Sequence, residues 1–352
     1  MNNKELLNTL VLTLVKESGS DIHIVSKSSP IVRIQGDLIV VTRMDPMKPS
    51  DVLEILKEMI NDEQFDKLIK NKQLDFAYTH LDEYRMRGNA FFQNGEISIS
   101  LRLISKVKNL KDLSLPDILL ELSRKKQGFF LVVGPVGQGK STTLASMIDH
   151  INQFEKKLIV TIEDPIEYIY ENKNSIIMQR EVGFDALDFN SALVSSLRQD
   201  IDVILIGEMR DAETMRAAVT AAETGHLVFS TLHTNSASQT IDRIIDSFPA
   251  EQQDQIRNQL ASSLIGIFSQ RLLPKVGGGQ IPAYELLISN SAVQNLIREK
   301  RTFELDHIIE TGGEQGMVSM DRCLSDLVRR GEIPVDVAIK YAKYPNILSQ
   351  MI

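Results

Sequence analysis

The sequence predicts an α/β protein with at least two domains, one of which is built on a parallel β-sheet. A glycine-rich segment, residues 134–142, lies between a short apolar run and a segment with helical spacing. From there to about residue 275, short apolar runs alternate with helical segments, which is the order expected of a parallel sheet. A length of 352 residues is enough for two or three domains, each with its own core.

The N-terminal α/β domain is predicted to span residues 1–104. Its helical and strand patterns follow in order: a helix over 5–17, a β-hairpin over 31–41, a helix over 49–69 and several strands over 76–104. Ser50 is the predicted N-cap of the second helix. Asn94-Gly95 is the predicted turn between two of the later strands, since this dipeptide is typical of tight hairpins.

A polar segment that ends in a proline, residues 105–116, is the predicted linker to the second domain. The core of that domain is predicted to span residues 117–288, with strands at 129–133, 158–162, 203–206 and 227–231. Three successive glycines, Gly277 to Gly279, predict a flexible break. Residues 289–352 are predicted to form a helical C-terminal subdomain, with amphipathic runs at 292–298 and 320–330.

The glycine-rich segment fits the pattern G-x-x-x-x-G-K-S/T of a phosphate-binding P-loop. Its members are Gly134, Pro135, Val136, Gly137, Gln138, Gly139, Lys140, Ser141 and Thr142. Backbone N–H groups of such a loop surround phosphates, and the following helix adds the positive end of its dipole. Lys140 is predicted to reach the β- and γ-phosphates, and Ser141 to ligate Mg²⁺. The pattern therefore predicts a nucleoside triphosphate and Mg²⁺ as ligands, on the first strand of a RecA-like core.

Two further strands are each followed by acidic residues. Glu163 and Asp164 end the second strand, and the carboxyl ends of parallel strands are where ligands bind in such sheets. Either residue could hold Mg²⁺ through water or orient the attacking water, although a solvated acidic turn is the alternative. After the third strand, Gly207-Glu208 resembles a Walker B motif with glycine in the usual place of aspartate. Glu208 is then the predicted ligand of Mg²⁺ through water, and which glutamate is the base stays open.

His226 and His233 stand at the two ends of the fourth strand. A neutral histidine here could contact the γ-phosphate or bond to an acidic residue, whereas a structural role is about equally favoured. Arg85, Arg87 and Arg102 are three arginines of the N-terminal domain. They could reach phosphate oxygens across a subunit boundary, or simply be solvated arginines on strands.

Composition narrows the functional classes. A formal net charge of -8 argues against general nucleic-acid binding, so no nucleic-acid partner is predicted. The one cysteine, Cys323, excludes an intramolecular disulfide and a cysteine-cluster zinc site. No apolar run approaches the ~18 residues of a membrane span, and the first residues lack the pattern of a signal peptide. A cytoplasmic location is the resulting prediction.

These motifs, in this order, resemble the secretion ATPase superfamily of type IV pili and type II secretion. The resemblance rests on the P-loop, the acidic stretch 161–168, Gly207-Glu208 and the histidine stretch 224–234, and it covers nearly the whole chain. It implies a PAS-like N-terminal domain joined flexibly to a RecA-like domain, in a ring of six identical subunits. It also implies that ATP lies between the two domains and that Arg85, Arg87 and Arg102 reach the nucleotide.

Within this superfamily the chain is similar to the motors of pilus retraction. Residues 292–299 resemble the C-terminal signature of that branch, with Val293 and Gln294 in place of isoleucine and arginine. In the P-loop, Val136 and Gln138 stand where threonine and serine are usual. The resemblance implies a motor that acts on an inner-membrane pilus platform protein, peripheral to the membrane. A pilus extension or type II secretion ATPase, an accessory paralogue, a nucleotide-controlled switch and a DNA-acting relative of RecA are the alternatives.

Overall fold

The protein is described from a computed structural model, which covers residues 3–17, 19–34, 36–41, 45–81, 83–104 and 107–352. The chain divides into two compact units, one up to residue 106 and one from residue 107 onward. Residues 105 and 106 of the predicted linker lie outside the described residues. The rest of that segment belongs to the second unit, where Leu110 and Leu115 are buried in the core.

An antiparallel sheet forms the first unit, within the residues that the structure describes. Its strands are β1 (Gly19–Val25), β2 (Ile31–Ile34), β3 (Asp37–Val40), β4 (Gln73–His80), β5 (Tyr84–Gln93) and β6 (Glu96–Leu103). Their spatial order is β3-β2-β1-β6-β5-β4, and each neighbouring pair is antiparallel. Asn94 and Gly95 join β5 to β6 with φ of 51° and 81°, as the dipeptide predicts.

In the described part of this unit, three helices accompany the sheet: α1 (Asn3–Lys16), α2 (Pro49–Lys57) and α3 (Asp62–Asn71). The single helix predicted over 49–69 is therefore wrong. Asn61 accepts a hydrogen bond from the Gln64 N–H and receives one from the Gln64 side chain, and this capping box begins a new helix. The N-cap of α2 is Lys48 rather than Ser50, since Pro49 occupies the first helical position.

A mostly parallel sheet forms the centre of the second unit, all of whose residues are described. Its strands are β7 (Gly128–Val133), β8 (Leu158–Glu163), β9 (Ile176–Glu181), β10 (Val203–Ile206), β11 (Leu227–Leu232), β12 (Leu264–Pro274) and β13 (Gln280–Ile288). The order is β13-β12-β7-β11-β10-β8-β9, with only β13 antiparallel to its neighbour. The four strands predicted from apolar runs are confirmed, as is the α/β fold class.

Gly277 to Gly279 form a hairpin turn rather than the predicted flexible break. They lie between β12 and β13, and their φ angles of 87°, 102° and 80° are ones that glycine adopts without strain. Because β12 also pairs with β7, the hairpin extends the central sheet.

Helices cover both faces of this sheet: α4 (Ile118–Ser123), α5 (Lys140–Phe154), α6 (Phe189–Ser196), α7 (Ala212–Glu223), α8 (Ala237–Asp246), α9 (Ala250–Ser263), α10 (Ser291–Arg298), α11 (Leu305–Thr311), α12 (Met320–Arg329), α13 (Val335–Tyr341) and α14 (Pro345–Met351). The second unit has two hydrophobic cores, one on each face of the sheet. Phe129 of β7 lies in one and Phe130 in the other, since successive side chains of a strand point to opposite faces. Helices α12 to α14 pack with Leu273 and Ile281 of the hairpin in a smaller core, whereas α10 and α11 belong to the core that contains Phe129. None of the helices in the described ranges combines the length and apolar composition that a membrane span needs.

Asp211 offers a test of how α7, the helix after β10, is held in place. Its carboxylate accepts hydrogen bonds from the N–H of Thr214 at 2.8 Å and from the Thr214 hydroxyl at 2.9 Å. Asp211→Ala removes this cap, so we expect α7 to lose about 1 kcal/mol of stability and its amides to exchange roughly fivefold faster. Asp211→Asn keeps an acceptor and should show less than half of that change by hydrogen-exchange mass spectrometry. Equal exchange in the two variants would contradict the capping role.

Candidate active site

The carboxyl ends of β7, β8, β10 and β11 surround a cavity of about 200 Å³, here called the strand-end cavity. It is lined by predicted site residues from four separate segments: Val136, Gly137, Lys140, Ser141, Glu163, Glu208 and His233. Parallel pairing explains why these residues lie close together, because strands that run in the same direction end at the same edge of the sheet.

The loop between β7 and α5 has the shape that its glycines permit. Gly134, Gly137 and Gly139 have φ of 149°, 76° and 76°, which residues with a Cβ rarely adopt. Pro135 and Val136 are exposed at the tip. Helix α5 starts at Lys140, so the free N–H groups of its first turn, including those of Ser141 and Thr142, lie beside the loop. A loop followed directly by a helix N-terminus favours an anionic ligand.

Lys140 is buried and directed back toward its own loop. Its Nζ donates hydrogen bonds to the carbonyl oxygens of Gly134 and Pro135, both at 2.9 Å. Burial lowers the pKa of Lys140, while the negative charges of Glu208 and Glu167 oppose that shift. A buried ammonium with anionic neighbours on one side is suited to a phosphate oxygen.

Glu163, the last residue of β8, is a buried carboxylic acid. Burial raises its pKa to about 7, against the opposing hydrogen bond that the Thr161 hydroxyl donates to Oε1 at 2.6 Å. The Gln179 amide lies 3.5 Å from the same oxygen. A carboxyl group with a pKa near neutrality can accept a proton from water at physiological pH, and a neighbouring cation would favour its charged form.

Glu208 lies two residues after β10 and is partly exposed. Arg210 pairs with Glu208 Oε1, and its Nη1 is 4.0 Å from Asp164 Oδ2. Arg210 therefore links the acidic ends of β10 and β8, a contact that the sequence analysis missed. A Cβ on Gly207 would make only ordinary van der Waals contact with β8, at 3.4 Å from the Ile162 carbonyl oxygen.

His233 lies between Lys140 and Glu208 in the strand-end cavity. Its Nδ1 is 3.4 Å from Lys140 Nζ, and its Nε2 is 3.5 Å from Glu208 Oε2. Both contacts suit a neutral ring that accepts at Nδ1 and donates at Nε2. The histidine is thus placed to bridge Lys140 and Glu208.

The structure does not bring His226 to the strand-end cavity, contrary to the sequence prediction. His226 precedes β11 whereas His233 follows it, so about 20 Å of strand separates them. Its Nδ1 is 3.0 Å from the carbonyl oxygen of Ala221, at the end of α7. This contact is the structural role that the sequence left open.

Two side chains that the sequence analysis did not select tie the acidic segment to the loop and to β9. The hydroxyl groups of Tyr168 and Thr142 are 2.8 Å apart, so the first turn of α5 contacts the segment after Glu163. Gln179 donates to the Tyr168 carbonyl oxygen at 2.7 Å and accepts from the Tyr170 N–H at 3.1 Å. Tyrosine and glutamine carry no motif, so only their contacts in the fold identify Tyr168 and Gln179 as parts of the site.

The three predicted arginines share one face of the sheet in the first unit. Arg85 and Arg87 are two residues apart on β5, and Arg102 of β6 is the cross-strand partner of Arg87. The opposite face carries Met86 and Leu101, which are in the core. Arg102 donates to Asp21 at 2.8 Å, and Arg85 to the Thr79 hydroxyl at 2.9 Å. The cluster therefore presents cationic groups on the face away from the core.

Comparisons with known proteins agree with this arrangement. Residues 2–307 match the family described as type II/IV secretion system protein. The type IV pilus retraction ATPase PilT of Pseudomonas aeruginosa is 42% identical over 97% of this chain and 99% of its own length. YggR of Escherichia coli, an uncharacterized protein, is 44% identical over 93% of this chain and 99% of its own.

A solved structure shares the whole fold. The crystal structure of the pilus retraction motor PilT with bound ADP superposes with a TM-score of 0.92 and 43% identity, covering 99% of each chain. The resemblance predicted from the motifs is thereby confirmed, together with the fold of an N-terminal α/β domain and a RecA-like ATPase domain. The chain belongs to the type II/IV secretion system protein family.

Proposed function

We propose that the chain is an ATP-hydrolysing motor that powers the retraction of type IV pili, and hence twitching motility. The observation that carries the proposal is the convergence of Lys140, Glu163, Glu208 and His233 on one cavity beside a P-loop. The likeness to the retraction ATPase PilT supports the choice of retraction over other work that an ATPase of this family could do.

The P-loop residues, Gly134 to Thr142, bind the phosphates of ATP, and Lys140 contacts the β- and γ-phosphates. Two Nζ protons of Lys140 are directed to the carbonyl oxygens of Gly134 and Pro135, and the longer third contact, with His233 Nδ1 at 3.4 Å, is the one that a phosphate oxygen would replace. Ser141, Glu163 and Glu208 line the same cavity and offer the oxygen ligands that Mg²⁺ prefers. Among the described residues, no three His, Cys, Asp or Glu side chains are arranged to hold a metal ion. Mg²⁺, which neutralises phosphate charge, would therefore share its ligands between these residues, water and ATP.

Glu163 and Glu208 orient and polarise the attacking water. Burial supports Glu163 as a proton acceptor, because its pKa of about 7 lies close to physiological pH. Glu208 is better placed to respond to the γ-phosphate, since His233 lies between it and Lys140. Transfer of the γ-phosphate to water produces ADP and phosphate, and the loss of that charge changes what Lys140 and His233 contact.

We further propose that six copies form a ring at the cytoplasmic face of the inner membrane, where an inner-membrane pilus platform protein is the partner. Arg85, Arg87 and Arg102 then contribute cationic groups to a nucleotide. Their shared, core-free face of the first unit supports this role.

An accessory paralogue of the retraction motor is a second candidate. It is favoured by helix α10, where the retraction signature is altered at two positions. Val293 is fully buried, so valine in place of isoleucine changes only the packing of the core. Gln294 is half-buried, and it puts a neutral side chain where the signature has the positive charge of arginine. The similarly close relationship to the uncharacterized YggR is compatible with either candidate.

Isosteric replacement of the two glutamates tests the chemistry. We expect Glu163→Gln and Glu208→Gln each to lower kcat for ATP hydrolysis by about 100-fold or more, because a neutral amide cannot accept a proton or polarise water equally well. Phosphate release by the purified protein is the measurement. Glu314→Gln, on the surface of the same unit, is the matched control and should hydrolyse ATP at the wild-type rate. If Glu163→Gln and Glu208→Gln both match the wild type, the catalytic assignment is wrong.

The direction of work is tested by deletion of the gene in its native host, with a count of surface pili and an assay of twitching. We expect excess pili without twitching, because pilin subunits are added but not removed. The wild-type gene should restore movement, whereas a Lys140→Ala gene should not. Loss of pili would instead place the chain with extension or secretion ATPases, and normal pili with normal twitching would favour the accessory paralogue.

A further inference from the structure

Strand β12 continues past the end of β7 and lies against the P-loop. Ser269 is the last β12 residue paired with β7, opposite Val133, and Gln270 comes next. A Cβ on Gly134 would be 2.5 Å from the Gln270 carbonyl oxygen, and a Cβ on Gly139 would be 2.9 Å from Gln270 Nε2. One residue of β12 therefore touches both the beginning and the end of the loop.

The side-chain amide of Gln270 is buried, and both of its polar atoms contact the nucleotide-binding segment. Its Nε2 donates to the carbonyl oxygen of Gln138 at 2.7 Å. Its Oε1 accepts from the hydroxyl of Thr143, in the first turn of α5, also at 2.7 Å. With 3% of its surface exposed, Gln270 has little water to replace either bond.

A third bond joins the side chain of Gln138, in the loop, to the backbone of β12. The Gln138 Oε1 accepts from the backbone N–H of Leu272 at 2.7 Å. Leu272 lies three residues beyond the last residue of β12 that pairs with β7. The Gln138 side chain therefore accepts the backbone hydrogen bond that a neighbouring strand would otherwise accept.

We propose that Gln270 and Gln138 are positioning residues, which hold the P-loop against β12 in the shape that receives phosphates. This inference rests on the proposed binding of ATP by the loop. The loop binds through backbone N–H groups, whose directions depend on the backbone and not on a side chain that could readjust. The bond to the Gln138 carbonyl holds the backbone immediately before Gly139, and the bond to the Thr143 hydroxyl holds the first turn of α5, four residues after it.

The positioning role predicts a particular kinetic signature. Glu163 ends β8 and Glu208 follows β10, and the hydrogen bonds of Gln270 and Gln138 reach neither of them. Loss of the contacts should therefore weaken nucleotide binding far more than it slows the chemical step. A general loss of folding would instead lower activity in proportion to the folded fraction, with KM unchanged.

Three variants test the inference in the full-length protein. Gln270→Met and Gln138→Leu remove the polar contacts at similar side-chain volume, whereas Gln138→Glu keeps an acceptor for the Leu272 N–H. Gln255→Leu, at an exposed position of α9, is the matched control. The measurements are the Kd of a fluorescent ADP analogue, KM and kcat for ATP, and the melting temperature without nucleotide.

We expect Kd and KM to rise about tenfold in Gln270→Met and about threefold in Gln138→Leu, the change typical of a lost hydrogen bond, with a much smaller change in kcat. Gln138→Glu should recover most of the loss at 0.5 M salt, roughly where charge repulsion from phosphate is screened. The control should match the wild type. Kd and KM unchanged in both Gln270→Met and Gln138→Leu would overturn the inference. A wild-type protein that fails to bind ADP would overturn the proposed function and this inference with it.

Discussion

The parallel pairing of β7, β11, β10 and β8 is the constraint on which the strand-end cavity depends. Since these four strands run in the same direction, the residues that follow them meet at one edge of the sheet. Lys140, Glu163, Glu208 and His233 come from segments spread over almost a hundred residues, yet they line one cavity.

The interior of the cavity adds an electrostatic requirement. Charges taken out of water need partners, and here they find polar groups that the strands already provide. Lys140 donates to two carbonyl oxygens of its own loop. Glu163 accepts a hydrogen bond from the hydroxyl of Thr161, two residues earlier on β8. The opposite pKa shifts of this lysine and this glutamate have the same cause, burial, which disfavours the charged form of each. A phosphate that bound here would favour the charged lysine.

Sequence alone predicted those parts of the fold and site that depend on local pattern. The strands around the P-loop and the Asn94-Gly95 turn were identified because apolar runs and turn residues act within a few positions. The helix predicted over 49–69 was wrong because hydrophobic spacing continued across Asn61, whose capping box divides it.

Contacts between distant segments could not be predicted in this way. Gln270 is 132 residues from Gln138 and carries no motif, so only the pairing of β12 with β7 reveals that it touches the loop. Arg210 and Gln179 were missed for the same reason. His226 was misjudged because its position in a motif does not indicate which end of β11 faces the cavity.

A crystal structure with Mg²⁺ and a non-hydrolysable ATP analogue tests the central claim most directly. We expect the β- and γ-phosphates to lie within the P-loop, with Lys140 Nζ on a phosphate oxygen and with Glu163 and Glu208 facing the γ-phosphate across water or Mg²⁺. His233 should contact the γ-phosphate or Glu208. A triphosphate bound outside the loop, or one that leaves both glutamates out of reach of the γ-phosphate and its water, would contradict the claim.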